Sequence, residues 1–148
     1  MNYKHHDLTG TLSEIKTKFK DTLSKESWIE MEEEGILFTI NDVQRTMIVG
    51  SKWGRVAMHS NLLTMKDNNE TIMWKFKFHE WLEVKASDLY AMHDICNRFI
   101  AENSRWEYEL NTRIDKAIDE EELQTIANNV MFVQTKQYVI KNGVVHES

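Results

Sequence analysis

Apolar residues recur at three- and four-residue spacing in two long stretches of the chain and alternate in shorter ones between them. Leu12, Ile15, Phe19 and Leu23 share one helical face. The preceding Thr11-Leu-Ser-Glu14 has the Thr-x-x-Glu form of a capping box, so the helix is expected to start there. Lys16, Lys18, Lys20 and Lys25 are left to solvent. After Gly35 the run Ile36-Leu-Phe-Thr-Ile40 predicts a strand. Asn41 or Asp42 then reads as a helix N-cap. Val43, Met47, Gly50, Gly54 and Ala57 follow at helical spacing, predicting a helix over 42–59.

Residues 71–86 alternate, and a single strand of that length would far exceed the usual five or six or so residues. A hairpin is predicted instead. Trp74, Phe76 and Phe78 share one parity, as do Leu82, Val84 and Ala86. Only a turn with an odd number of residues keeps both apolar sets on one face. Centring it on His79 pairs Phe76 with Leu82 and Trp74 with Val84, and sets Lys75 opposite Glu83. Ser87 and Asp88 then open a long helix. Its stripe runs through Leu89, Met92, Cys96, Phe99, Asn103, Trp106, Leu110 and Ile114. Asp119-Glu-Glu-Glu122 caps a short helix with Leu123 and Ile126 inward. Beyond Asn129 the chain turns strand-like, with Asn142-Gly143 as a type I′ turn signal.

The elements describe an α+β fold: a small antiparallel sheet or hairpin packed on a long amphipathic helix, with two or three further helices. Residues 1–10 read as an arm, 11–127 as a single domain and 128–148 as a β-type tail. That tail either covers the domain or docks on another chain. As a docking arm it would be needed for assembly but not for folding: deleting residues 128–148 is expected to abolish assembly and leave a folded core.

Composition narrows the function. A chain of 148 residues suits one domain. A net charge of -6 argues against duplex DNA and anionic membranes as partners. The single cysteine, Cys96, excludes an internal disulfide framework. The polar opening Met-Asn-Tyr-Lys predicts no secretory signal, and the apolar runs are too short to span a bilayer. Five Trp and eight Met raise the expectation of a protein–protein surface.

Catalytic chemistry is not expected. His5-His6 lacks further metal ligands, and Cys96 lies on the apolar stripe rather than beside a base. The Glu32–Glu34 and Glu120–Glu122 runs are explained by helix capping and the dipole. Gly50-Ser-Lys52 lacks the glycine spacing of a phosphate loop. No cofactor and no metal are predicted. Trp74-Lys-Phe-Lys-Phe78 resembles a base-stacking platform, but a half-buried strand with lysines outside explains it better in an acidic chain.

From about Lys18 to Ile126 the chain resembles an uncharacterised domain family of bacteriophages and prophages, found in tail and tail-fibre-associated proteins. Lys25-Glu-Ser-Trp28, Gly35-Ile-Leu-Phe-Thr-Ile40 and Gln44-Arg-Thr-Met47 carry the likeness. So do Trp74, Ser87-Asp-Leu89, Ile114-Asp-Lys-Ala117 and Asp119-Glu-Glu-Glu-Leu123. The family usually has Asp, Asn or Gly in the hairpin turn, where this chain has Phe78-His79-Glu80. The resemblance implies a virion part or a factor that helps build one; the first reading is a non-enzymatic virion structural protein, a small connector or adaptor of the tail or fibre, made in the host cytoplasm. Its partners would be other tail or fibre proteins, or further copies of itself. Trp53, Trp81, Val130, Phe132, Tyr138 and Ile140 are the expected partner-binding residues. The alternatives are a tail-fibre assembly chaperone absent from the particle, and a phage protein that binds a host factor. A single-strand binder using Trp74, Phe76 and Phe78 belongs with the latter.

Overall fold

The computed structural model describes residues 8–49, 52–133 and 137–147, with the side chains of 52–56 and 147 outside that description. Residues 1–7 of the expected arm, with His5-His6, and Gly50 lie outside it too. The fold is α+β, but it is not a single domain with a tail. The chain divides into one unit of Met1–Met31 with Ala101–Gln134, and a second of Glu32–Ile100 with Thr135–Ser148. The expected boundary at 127 is therefore replaced by breaks inside two helices and near residue 134. Length explains this. The long helix α4 (Ala86–Lys116) has 31 residues, or about 46 Å of rise, more than one small core covers. No helix among the described residues is long and apolar enough to cross a membrane.

In the first unit, α1 (Leu12–Phe19) continues through a π-helical segment, Lys20–Lys25, into α2 (Glu26–Glu34). Thr11 caps it as the capping-box pattern predicts, its Oγ1 accepting from Glu14 N at 3.2 Å. Asp119 caps α5 (Glu120–Asn129) likewise, accepting from Glu122 N at 2.9 Å. Ile15, Phe19 and Leu23 bury against Leu110 and Ile114 of α4 and Leu123 of α5. The lysines beside this face are not simply solvated. Lys16 donates to Asp115 O at 2.8 Å, Lys18 to Thr9 O at 2.9 Å, and Lys20 pairs with the Asp115 carboxylate.

Asn103 interrupts the apolar stripe. It is 1% exposed, and neither its Nδ2 nor its Oδ1 has a hydrogen-bond partner among the described residues. A buried amide in that state costs about 1–3 kcal/mol. Asn103→Leu should therefore raise stability by about that much, read as a higher urea midpoint at constant m-value. An unchanged or lower midpoint would show that the amide is satisfied in solution.

The second unit holds a four-stranded sheet in the order β2-β1-β5-β6. Strand β1 (Ile36–Ile40) buries alternate residues, with Ile36, Phe38 and Ile40 on the inner face. The helix expected over 42–59 is not formed at its start: Val43–Met47 is strand β2, paired antiparallel to β1 from Ile40↔Val43 to Ile36↔Met47. The reason is local. Asn41 (φ 47°) and Asp42 (φ 71°) are both left-handed, as a type I′ turn requires, whereas an N-cap is extended. Helix α3 begins only at Lys52 and runs to Thr64. Gly35 (φ 82°) admits β2 alongside, since a Cβ there would lie 2.4 Å from Met47 O.

The C-terminal strands complete this sheet. Strand β5 (Tyr138–Lys141) pairs parallel to β1, with Phe38↔Tyr138 and Ile40↔Ile140, and β6 (Val144–Glu147) folds back on it. The intervening Asn142 (φ 52°) and Gly143 (φ 77°) make the I′ turn that their sequence predicts. Asp88, fully buried near the start of α4, ties these turns together. Its carboxylate accepts from Asn41 Nδ2 at 3.3 Å, Gly143 N at 3.1 Å and Lys85 N at 3.4 Å. The sheet is thus mixed rather than purely antiparallel.

Candidate functional site

A second, two-stranded sheet and its turn bring together three exposed large apolar side chains of this unit, Met73, Phe78 and Trp81. Strands β3 (Thr71–Lys75) and β4 (Trp81–Lys85) form the expected hairpin, with an odd five-residue connection. The register, however, centres on Phe78, with Trp74↔Leu82 and Met73↔Glu83, not on His79. A shift of this kind preserves parity, so Trp74, Phe76 and Val84 are still buried. Lys75 faces Trp81 instead of Glu83, its Nζ 5.9 Å from the indole centroid.

The turn departs from its expected geometry because Phe78 (φ 65°) and His79 (φ 58°) both adopt the left-handed conformation. Phe78 is 68% exposed, not inward with Trp74 and Phe76. Left-handed backbone costs a β-carbon-bearing residue about 1–2 kcal/mol. The usual Asn or Gly would avoid most of that cost. Replacing Phe78-His79 by Asn-Gly should raise the stability of this unit by about 1–2 kcal/mol, seen as a higher thermal midpoint. A loss of stability would mean that the Phe78 ring contributes more packing than its exposure allows. An aromatic residue kept in a strained, solvent-facing turn points to a role in contact.

Two cations hold the turn. Arg45 on β2 pairs with Glu80 at 3.3 Å and donates to Trp81 O at 3.4 Å. Lys77 donates to Glu33 O and Glu34 O at the C-terminal end of α2, at 3.3 and 3.4 Å, where the helix dipole favours a cation. Lys77 Nζ also lies 5.2 Å from the Phe78 ring centroid. Trp81 and Met73, 54% and 53% exposed, extend this surface along the hairpin. The result is an anchored turn presenting Met73, Phe78 and Trp81 beside Lys75.

The expected partner-binding residues fall in both units. Trp81 is on the hairpin. Trp53 lies in α3, with its side chain outside the described residues. Ile140 is fully buried in β5 and cannot be a contact side chain while the sheet is intact. Tyr138 is half-buried, its ring 6.0 Å from that of Phe38. Val130 packs on the apolar cluster of the first unit. Phe132 sits against Trp106, with ring centroids 5.8 Å apart, while Trp106 Nε1 donates to Met131 O at 2.6 Å. Ile140 is thus core, while Val130, Phe132 and Tyr138 are half-buried within their own units. The three-ring platform of Trp74, Phe76 and Phe78 is likewise not formed, since the first two are buried.

The first unit has an open cleft of about 570 Å³ where α4 meets α5, lined in part by Arg113, Lys116, Ile126 and Glu121. Its other acids already have structural work. Asp119 caps α5, and Glu122 accepts from Ile118 N at 2.8 Å. No group of three or more His, Cys, Asp or Glu that could hold a metal occurs among the described residues. Cys96 is buried on α4. One pairing had no sequence signal: His59 on α3 stacks on His93 of α4.

No protein-family model, no curated protein and no solved structure matches the chain.

Proposed function

We propose that the chain is a non-enzymatic adaptor that binds a protein partner through the β3–β4 hairpin, as a small structural component of a bacteriophage tail or tail-fibre apparatus. The observation that carries the binding half is the anchored turn with Trp81, Phe78 and Met73 turned to solvent. Aromatic and methionine side chains fixed in place lose little conformational entropy on docking, and they dominate the energetics of interfaces. A protein partner is favoured over single-stranded nucleic acid by the burial of Trp74 and Phe76 and by the net charge of -6. The virion half rests on the sequence resemblance described above.

Mass spectrometry of purified particles, with copy number, tests the reading. Stoichiometric presence supports it. Enrichment in the infected cell with absence from particles would assign the chain to fibre assembly as a chaperone instead.

A further inference from the structure

Helices α3 and α4 meet through a pair of imidazoles. The rings of His59 and His93 stack with centroids 5.6 Å apart and planes 25° from parallel. On the α3 side, Met58 and Leu62 are buried, and Tyr90 of α4 donates its hydroxyl to Leu62 O at 3.3 Å. On the α4 side, His93 Nδ1 lies 3.4 Å from Asn97 Nδ2, and Asp94 is paired with Arg98 at 2.8 Å.

We propose that His59 and His93 form a proton-sensitive clasp that holds α3 on α4 while the His93 ring is uncharged and loosens it when that ring takes up a proton. A positive charge on His93 sits partly buried against the exposed His59 imidazole, where lost solvation and that neighbour both disfavour it. Burial pushes His93 below its ordinary value of 6.5, and the neighbouring His59 adds to this; Asp94 acts in the opposite sense and is outweighed. The Asp94 charge is itself shared with Arg98. The folded chain therefore binds this proton less readily than the unfolded chain. The stability contributed by uncharged His93 is complete above pH 6.5 and is lost as the pH falls through the lowered folded-state value. Met58 and Leu62, buried on the helix that carries His59, would become more accessible as acidification loosens α3.

The test combines imidazole NMR titration with amide exchange in α3, expressed as protection factors to remove the intrinsic pH dependence. In the native chain the His93 midpoint should lie below 6.5. Protection of α3 should fall by about tenfold for each unit of that displacement. His93→Phe keeps a ring in the stack without its charge, and α3 protection should then be the same on either side of the native midpoint. His59→Gln alters only an exposed position, and the His93 midpoint should rise toward its ordinary value. An α3 protection that does not change with pH in the native chain would overturn the proposal. So would a pH-dependent loss that survives in His93→Phe, or an unmoved His93 midpoint in His59→Gln.

Discussion

A chain ending at Val133 is expected to lose the fold of its second unit. Strand β5 supplies the parallel partner of β1, and its Ile140 is fully buried. Removing the Ile140 side chain alone should cost about 2–5 kcal/mol. Truncation also strips Asn41 N of its bond to Ile140 O (2.9 Å) and Asp88 of its bond from Gly143 N. A buried carboxylate that loses a donor is destabilised further. Against a typical total of about 5–15 kcal/mol, these losses suffice to unfold the unit. NMR spectra should lose the dispersed β1 and β2 resonances while α1 and α5 keep theirs. A truncated chain with intact β1 and β2 signals would return the C-terminal segment to the role of a docking arm that the fold does not need.

The second large effect is on binding. Trp81→Ala should weaken partner capture by about 2–4 kcal/mol, roughly 30- to 700-fold. Stability should change by no more than about 0.5 kcal/mol, because the side chain is solvent-facing. Phe78→Ala should act in the same direction on binding. Trp74→Ala offers the contrast: it empties a buried site, and its main cost should be to folding, about 3–5 kcal/mol. Titration of the isolated partner against each variant, beside a thermal melt, separates the two. Equal affinity for Trp81→Ala and native chains would remove the hairpin from the interface.

Local signals were legible in the sequence where one residue has one job. Thr11 and Asp119 cap the helices their patterns predict, Asn142-Gly143 turns as its type demands, and the α4 stripe is buried from Leu89 to Ile114 apart from the half-buried Trp106. The errors arise where one residue type serves two geometries. Asn41-Asp42 can cap a helix or form a I′ turn, and what favours the turn is the pairing of Ile36 with Met47 across it. Phe78 and His79 carry no turn signal at all, so parity predicted the buried face of the hairpin but not its register. The place of Ile140 beside Ile40, and the contact of His59 with His93, join residues far apart in the chain. No periodicity within a segment records such contacts. That is also why Ile140, expected at a partner surface, is core, while the exposed Met73 and Phe78 beside Trp81 were unforeseen.

Docking of a virion adaptor through its hairpin is tested most directly by placing a photo-crosslinking amino acid at position 83, exposed opposite Met73 on the hairpin, and irradiating intact particles. A specific crosslink from position 83 to a second tail or fibre protein is expected, lost when Trp81 and Phe78 are replaced by alanine. Particles that contain the chain but yield no crosslink from position 83, with crosslinks from surface positions away from the hairpin, would overturn the proposal.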